Sequence, residues 1–295
     1  MAAFPFPGLN LAVTTPFDAG GRVDLGALEA HLERYLEAGV DGIVLSSGTG
    51  MHVYLSRAES DALVATGAKI IAGRAKVIVQ ASALLVDDVV ARTRHAADHG
   101  ADGVMVLPPF FEGPTDDDGV FAFYETAAEG GLPIIGYNVP GAVGVAISPD
   151  LLRRLCEIPN FVTAKDSSGD LAAQADLIRT GHAVMNGADP LMLYALYAGA
   201  QGLIWGGANF APRTCVALVT AARDRRWDEA REIWRALEPA MNLIWQGDYV
   251  QSVYAAAEIT GYGAGAPRRP LRALDAGKLD ALRVALGDLV ARELA

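Results

Sequence analysis

Of the four lysines in this 295-residue chain, Lys165 is placed where an amine could act as a nucleophile. It ends the apolar run Phe161-Val162-Thr163-Ala164 and is followed at once by Asp166-Ser167-Ser168-Gly169-Asp170. Lys69, Lys76 and Lys278 have ordinary positions in a helical stretch, at a strand start and on the tail. An amine enclosed by apolar surroundings loses charge solvation, which favours the neutral form that attacks a ketone. The resulting iminium withdraws electrons from the neighbouring carbon and opens carbanion chemistry near neutral pH. The structural alternative is a lysine paired with Asp166. Other chemistries have less to stand on. His31, His52, His95, His99 and His182 are scattered and share no metal-site spacing with Cys or Asp. Cys156 and Cys215 sit in apolar helical patterns and read as buried, reduced thiols.

A nucleophile at a strand end needs a scaffold that gathers strand ends. Short apolar runs at 9–15, 42–46, 76–81, 103–107, 133–137, 161–165, 183–186 and 202–205 read as strands. Between and after them lie helical stretches at 25–38, from 56, 86–99, 117–128, 148–155, from 170, 190–197 and 212–222. Ser56 with Glu59 has the spacing of a capping box, and Gly39 and Gly100 stand just past helix ends. Alternating strands and helices point to parallel βαβ units, and eight pairs are the number that closes a (β/α)₈ TIM barrel. The expected organisation is an α/β barrel domain over 1–225 and a C-terminal extension of three helices over 226–295. In such a barrel Lys165 reaches the C-terminal mouth, where active sites of this architecture lie.

Bulk properties agree. A hydrophobic content of 52% is ample for a large core, and the 20% of charged residues lie mostly in periodic segments. A net charge of −11 disfavours nucleic-acid binding, which needs clustered Lys and Arg. The N-terminus lacks the basic and long apolar regions of a signal peptide, and no run reaches the roughly 18 apolar residues of a membrane span. A cytoplasmic protein without membrane or nucleic-acid partners is expected.

Six segments fall in one order along the chain: Thr14-Thr15-Pro16-Phe17, Gly48-Thr49-Gly50, Pro108-Pro109-Phe110-Phe111, Tyr137-Asn138-Val139-Pro140, Lys165-Asp166-Ser167-Ser168-Gly169-Asp170 and Gly187-Ala188-Asp189. Together they resemble the dihydrodipicolinate synthase/N-acetylneuraminate lyase superfamily of class I, pyruvate-handling aldolases. Gly-Thr-Gly alone is weak; Tyr-Asn-x-Pro with a lysine 28 residues after its tyrosine is specific. The resemblance implies that Lys165 forms a Schiff base with a 2-keto acid and that Tyr137 shuttles protons. It implies that Thr49, with the amides of Thr49 and Gly50, holds the substrate carboxylate. Gly187 would leave room beside the imine, and Asp189 would accept a hydrogen bond from a substrate hydroxyl or else begin a helix with Pro190. Gly48, Ser167 and Gly206 complete the expected substrate-binding set, together with Trp205, a large residue at a position where the superfamily commonly has smaller ones. Trp205 would narrow the cavity or pack in the core. No metal or organic cofactor is implied, because the lysine itself is the electron sink. A homo-oligomer, dimer or tetramer, is implied too.

The sequence also departs from the synthase branch of that superfamily. Gly48 and Met51 stand where synthases carry a threonine and a glutamate, Phe111 where they lend a tyrosine across the dimer, and Ala142 where an arginine grips the second substrate. These departures lean toward the keto-acid aldolase and lyase branches, and the Asp-Ser-Ser-Gly-Asp segment looks like that of 4-hydroxy-2-oxoglutarate aldolases. The expected reaction is cleavage or formation of a 4-hydroxy-2-keto acid from pyruvate and an aldehyde. A dehydratase or deaminase, the synthase reaction, or a paralogue that binds keto acids without catalysis are the alternatives. His52 is expected to be a solvated loop residue.

Overall fold

The computed structural model describes residues 3–114 and 116–294. Its strands are β1 (Gly8–Ala12), β2 (Gly42–Leu45), β3 (Lys76–Gln80), β4 (Gly103–Val106), β5 (Ile134–Asn138), β6 (Phe161–Asp166), β7 (Val184–Asn186) and β8 (Gly202–Trp205). All neighbours pair in parallel, and β8 pairs with β1, so the sheet closes into an eight-stranded barrel. Around it run α1 (Leu25–Ala38), α2 (Arg57–Ile71), α3 (Val86–Asp98), α4 (Asp117–Ala127), the single turn α5 (Pro140–Val143), α6 (Pro149–Leu155), α7 (Leu171–Ile178), α8 (Met192–Ala198) and α9 (Pro212–Arg223).

Local chemistry explains the boundaries. Ser56 accepts from the Glu59 amide while the Glu59 side chain accepts from the Ser56 amide, the reciprocal capping box that the spacing announces. Gly39 ends α1 in the left-handed conformation at φ 84°, where its N–H satisfies carbonyls of the last turn. Asp170 caps α7 by accepting from the amides of Ala172 and Ala173. The short α5, which the apolar pattern does not reveal, starts at Pro140, whose fixed φ suits a first helical position.

Two apolar layers hold the barrel. Inside, Phe6 fills the N-terminal end beneath Ala12, Val44, Ile78, Met105, Ile135, Met185 and Ile204. Outside, the opposite faces of the same strands pack against the helices, as the two-residue period of a strand requires. On β5 and β6 the register shifts between Ile134 and Ile135, after which Tyr137 stands directly beside Lys165. That irregularity brings the phenol and the amine onto one level of the lumen.

Beyond the barrel the described residues carry four helices instead of the three expected: α10 (Trp227–Trp245), α11 (Tyr249–Ile259), α12 (Ala276–Ala285) and α13 (Gly287–Leu294). The last two lie end to end and separate at Leu286, next to Gly287, a residue that weakens helix continuity. The extension does not stand apart from the barrel. Trp234, Leu237, Met241 and Ile244 of α10 are buried in the same core as the outer faces of the strands. None of the described helices is long and apolar enough to cross a membrane.

Candidate active site

At the C-terminal mouth lies a cavity of about 330 Å³ that contains Lys165. The ε-amine sits 4.0 Å from the centre of the Tyr137 ring, and the side chain is only 5% exposed. Asp166, next in sequence, does not pair with it. Its carboxylate accepts instead from Asn138 Nδ2 at 2.7 Å, Ser168 Oγ at 2.9 Å and Gln174 Nε2 at 3.4 Å. Burial pushes the Asp166 carboxyl above its ordinary value, and these donors oppose the shift. Gln174 also donates to Asn186 Oδ1 at 2.8 Å, so one buried network ties together the ends of β5, β6 and β7. The structural reading of Lys165 as an Asp166 partner therefore fails, and the amine is left facing the cavity.

Seven of the ten site residues expected from the sequence line this cavity: Gly48, Thr49, Tyr137, Lys165, Ser167, Gly187 and Gly206. Gly187 touches the lysine so closely that an added Cβ would stand 2.0 Å from Lys165 Cε and 2.3 Å from Ser167 Oγ. The Ser167 hydroxyl is buried beside the lysine and has no partner within the described residues. The turn after β2 presents the Thr49 side chain together with amides of Gly48 and Thr49 that meet no acceptor there among the described residues. Such a concave set of donors fits a carboxylate.

Three of the ten do not line the cavity. Gly50 does not offer its amide to substrate, because that N–H donates to Ser47 Oγ at 3.0 Å and its carbonyl accepts from Thr15 Oγ1 at 2.7 Å. Trp205 is fully buried on the outer face of β8, 6.4 Å from the Trp234 ring, while its neighbours Ile204 and Gly206 take the lumen side. Strand alternation decides this, and the indole N–H finds no partner among the described residues. Asp189 is also fully buried, and both its oxygens are engaged: Oδ1 accepts from the Gly207 amide at 2.8 Å and Oδ2 from Tyr249 at 2.9 Å. Burial pushes its carboxyl up to about 6, against the pull of those donors and of the Lys165 charge. His52, too, is buried rather than solvated, lying between Ser46 Oγ at 3.2 Å and the Ser82 carbonyl at 2.7 Å. Desolvation holds its pKa below the usual range, so the ring is a neutral tie between two strand ends.

Sequence reasoning missed the part of the site that the extension supplies. Trp245 at the end of α10 and Tyr249 and Val250 at the start of α11 line the cavity. Trp245 meets Tyr249 edge to face, with ring centres 6.2 Å apart, and covers Gly169. No motif marks these residues; only the docking of α10 and α11 on the mouth brings them there. At the positions of departure, Met51 is buried in the outer core, Ala142 lines the cavity, and Phe111 stands 79% exposed away from it.

An enclosed lysine with an adjoining phenol and an anion cradle, at the mouth of a parallel eight-stranded barrel, defines a pyruvate-using lyase of the class I, imine-forming type. The chain belongs to the Dihydrodipicolinate synthetase family, whose model matches residues 5–289. It is 36% identical over 284 residues to a 4-hydroxy-tetrahydrodipicolinate synthase of Corynebacterium aurimucosum, covering 94% of this chain and 93% of the relative. A synthase of the same description from Methanospirillum hungatei is 34% identical over 272 residues, 90% of this chain and 93% of its own. Among solved structures, dihydrodipicolinate synthase from Aquifex aeolicus superposes with a TM-score of 0.90 at 30% identity, covering 96% of this chain and 98% of that one. The chloride-inhibited dihydrodipicolinate synthase from Acinetobacter baumannii, complexed with pyruvate, gives 0.90 at 30% identity, with 96% and 99% covered. The expected leaning toward the aldolase and lyase branches finds no support in these names.

Proposed function

We propose that Lys165 forms an imine with pyruvate and that the derived enamine makes or breaks a carbon–carbon bond to an aldehyde lacking a carboxylate. The carboxylate of pyruvate lies in the Gly48–Thr49 turn, which orients its carbonyl toward the amine. Attack by the neutral amine gives a carbinolamine, and Tyr137, beside the nitrogen, moves the proton that lets water leave. Ser167, with its unpartnered hydroxyl, steadies the oxygen at that carbon. Gly187 keeps clear the space that the imine occupies.

The observation that carries the choice of aldehyde is the composition of the cavity wall. Lys165 is the sole cation among the described residues lining it, and beyond the lysine the wall is Val139, Ala142, Trp245, Tyr249 and Val250, none of them a cation. A carboxylate bound there would be desolvated without a charge partner, a loss of several kcal/mol in comparable sites. A second reading, 4-hydroxy-tetrahydrodipicolinate synthase, is favoured by the names of the relatives. The two separate in one assay. Pyruvate is offered with uncharged aldehydes and with aspartate semialdehyde, and 4-hydroxy-2-keto acids are assayed for pyruvate release. The expected result is a kcat/KM at least about tenfold higher for the uncharged partners, the size of a 1.4 kcal/mol preference. A preference for aspartate semialdehyde assigns the synthase reaction instead.

A homo-oligomer is part of the same proposal. Leu84, Leu85 and Phe111 are exposed around one groove beside the mouth, an apolar surface suited to a second copy. Light scattering on the purified chain is expected to give a dimer or tetramer; a monomer at micromolar concentration contradicts it.

A further inference from the structure

The cavity holds two phenols on different elements, and they have different neighbours. Tyr137, from β5, lays its ring on Lys165. Tyr249, from α11, donates to Asp189 Oδ2 at 2.9 Å. A Cβ on Gly206 would stand 2.2 Å from the Tyr249 oxygen and 2.7 Å from Thr49 Oγ1, so both hydroxyls converge on one point of the wall. Asp189 itself has no exposed surface and does not line the cavity, whereas Tyr249 does. A proton travelling between the cavity and Asp189 therefore has a path through the phenol.

Carbon–carbon chemistry on a lysine imine involves two substrate oxygens. One is on C2 and leaves as water when the imine forms. The other is on C4 and alternates between hydroxyl and aldehyde. Resting on the reaction proposed above, we propose that Tyr249 and Asp189 form a second proton-transfer station that serves the C4 oxygen, with Asp189 as the proton store. In cleavage the C3–C4 bond breaks, its electron pair becomes the C2–C3 double bond, and the iminium π pair withdraws to the lysine nitrogen. The C4 hydroxyl proton passes to the Tyr249 oxygen as the Tyr249 proton passes to Asp189 Oδ2, and the O–H pair becomes the aldehyde π bond. Condensation runs the same transfers backwards, and no redox partner enters the balance.

The surroundings suit the task. A carboxyl pushed up by burial to about 6 is ionised at neutral pH yet close enough to it to hold a proton in passing. The groups facing Asp189 are Lys165 from β6, Tyr249 from α11 and Cys215 from α9, and Tyr137 from β5 faces Tyr249. Burial and the Asp189 charge hold the Tyr249 phenol well above its ordinary value, so it acts as a neutral conduit and not as a phenolate.

Tyr249→Phe and Asp189→Asn in the full chain test this by separating two half-reactions. Pyruvate alone reports the imine, through borohydride trapping on Lys165 and deuterium exchange of the methyl group. The preferred 4-hydroxy-2-keto acid, or its aldehyde with pyruvate, reports the bond step. Both variants are expected to retain trapping and methyl exchange, which also shows that they fold. Their kcat for the bond step falls by about 10²-fold or more, the usual share of a positioned acid–base group. In the wild type that kcat falls as pH drops through about 6, because cleavage needs ionised Asp189, and Asp189→Asn lacks this limb. Exchange and bond turnover declining together, or Tyr249→Phe keeping full turnover, overturns the assignment. A wild type that exchanges the methyl but turns over no such substrate sinks the proposed reaction itself, and the assignment with it.

Discussion

At the scale of single residues the site is defined by how little room surrounds one amine. Gly187 is the clearest case, since even a methyl group there would overlap Lys165 Cε and Ser167 Oγ. Both atoms are the far ends of side chains that face the cavity, so the lysine and the serine would have to swing away from their present positions to make room. Gly187→Ala is expected to lower stability by ~1–3 kcal/mol, the range for overpacking. More tellingly, it is expected to abolish the trapped pyruvate adduct in protein that is still folded. Circular dichroism melting and intact mass after borohydride treatment check both halves. Retention of the adduct at wild-type yield would mean that the lysine reaches substrate by another rotamer. Lys165 and Tyr137 could be found in the sequence because an isolated lysine and a Tyr-Asn-x-Pro segment each end an apolar run. Asp189 is open in the sequence to two readings, a substrate contact or a helix start; it does begin the short turn Asp189–Leu191, while its partner Tyr249, 60 positions away, carries no sequence signal.

At the scale of elements, strand ends are tied to one another and to helices by buried polar side chains. His31 on α1 accepts or donates at Thr14 Oγ1, 3.0 Å away beyond β1, while Arg34 reaches its Nδ1 at 3.1 Å. Desolvation, reinforced by the Arg34 charge, lowers the ring pKa from 6.5 to about 3. The folded state therefore refuses a proton that the unfolded chain accepts. Stability from this group is full above pH 6.5 and is lost progressively as pH falls from 6.5 toward 3. His31→Gln is expected to be less stable than wild type at pH 7. The gap narrows by roughly 2 kcal/mol at pH 5, at about 1.4 kcal/mol per pH unit. Urea unfolding at the two pH values measures it; an unchanged gap would mean that the folded ring takes up its proton over the same pH range as the unfolded chain. Strand and helix order was legible because parallel βαβ units repeat a simple apolar rhythm. The inward or outward sense of each strand was not. Trp205 was open to either side until closure of the barrel put Ile204 and Gly206 in the lumen.

At the scale of the whole molecule the C-terminal extension completes both the core and the site. α13 returns to α9, where Glu293 accepts from the amides of Arg213 and Thr214 at 3.2 and 2.9 Å and from Tyr262 at 3.1 Å. A carboxylate from the far end of the chain thus caps the helix that follows β8, in favourable alignment with the helix dipole. Glu293→Ala leaves those donors buried, and a loss of about 1–3 kcal/mol is expected from denaturant unfolding, with Glu293→Gln intermediate. Equal stability of all three would show that the C-terminal turn is not docked in solution. The sequence announced an appended helical bundle but not that its second helix would wall the catalytic mouth. Helical periodicity reports which face of α11 is apolar, and says nothing about which cavity the start of that helix overlooks.

The proposed reaction requires covalent chemistry at one nitrogen. Purified protein is incubated with pyruvate, reduced with borohydride, weighed intact and digested for peptide mapping. One reduced pyruvyl group per chain is expected, on the peptide that carries Lys165, and none in Lys165→Ala. Modification spread over Lys69, Lys76 and Lys278, or no adduct at saturating pyruvate, would contradict an imine-forming site at the barrel mouth.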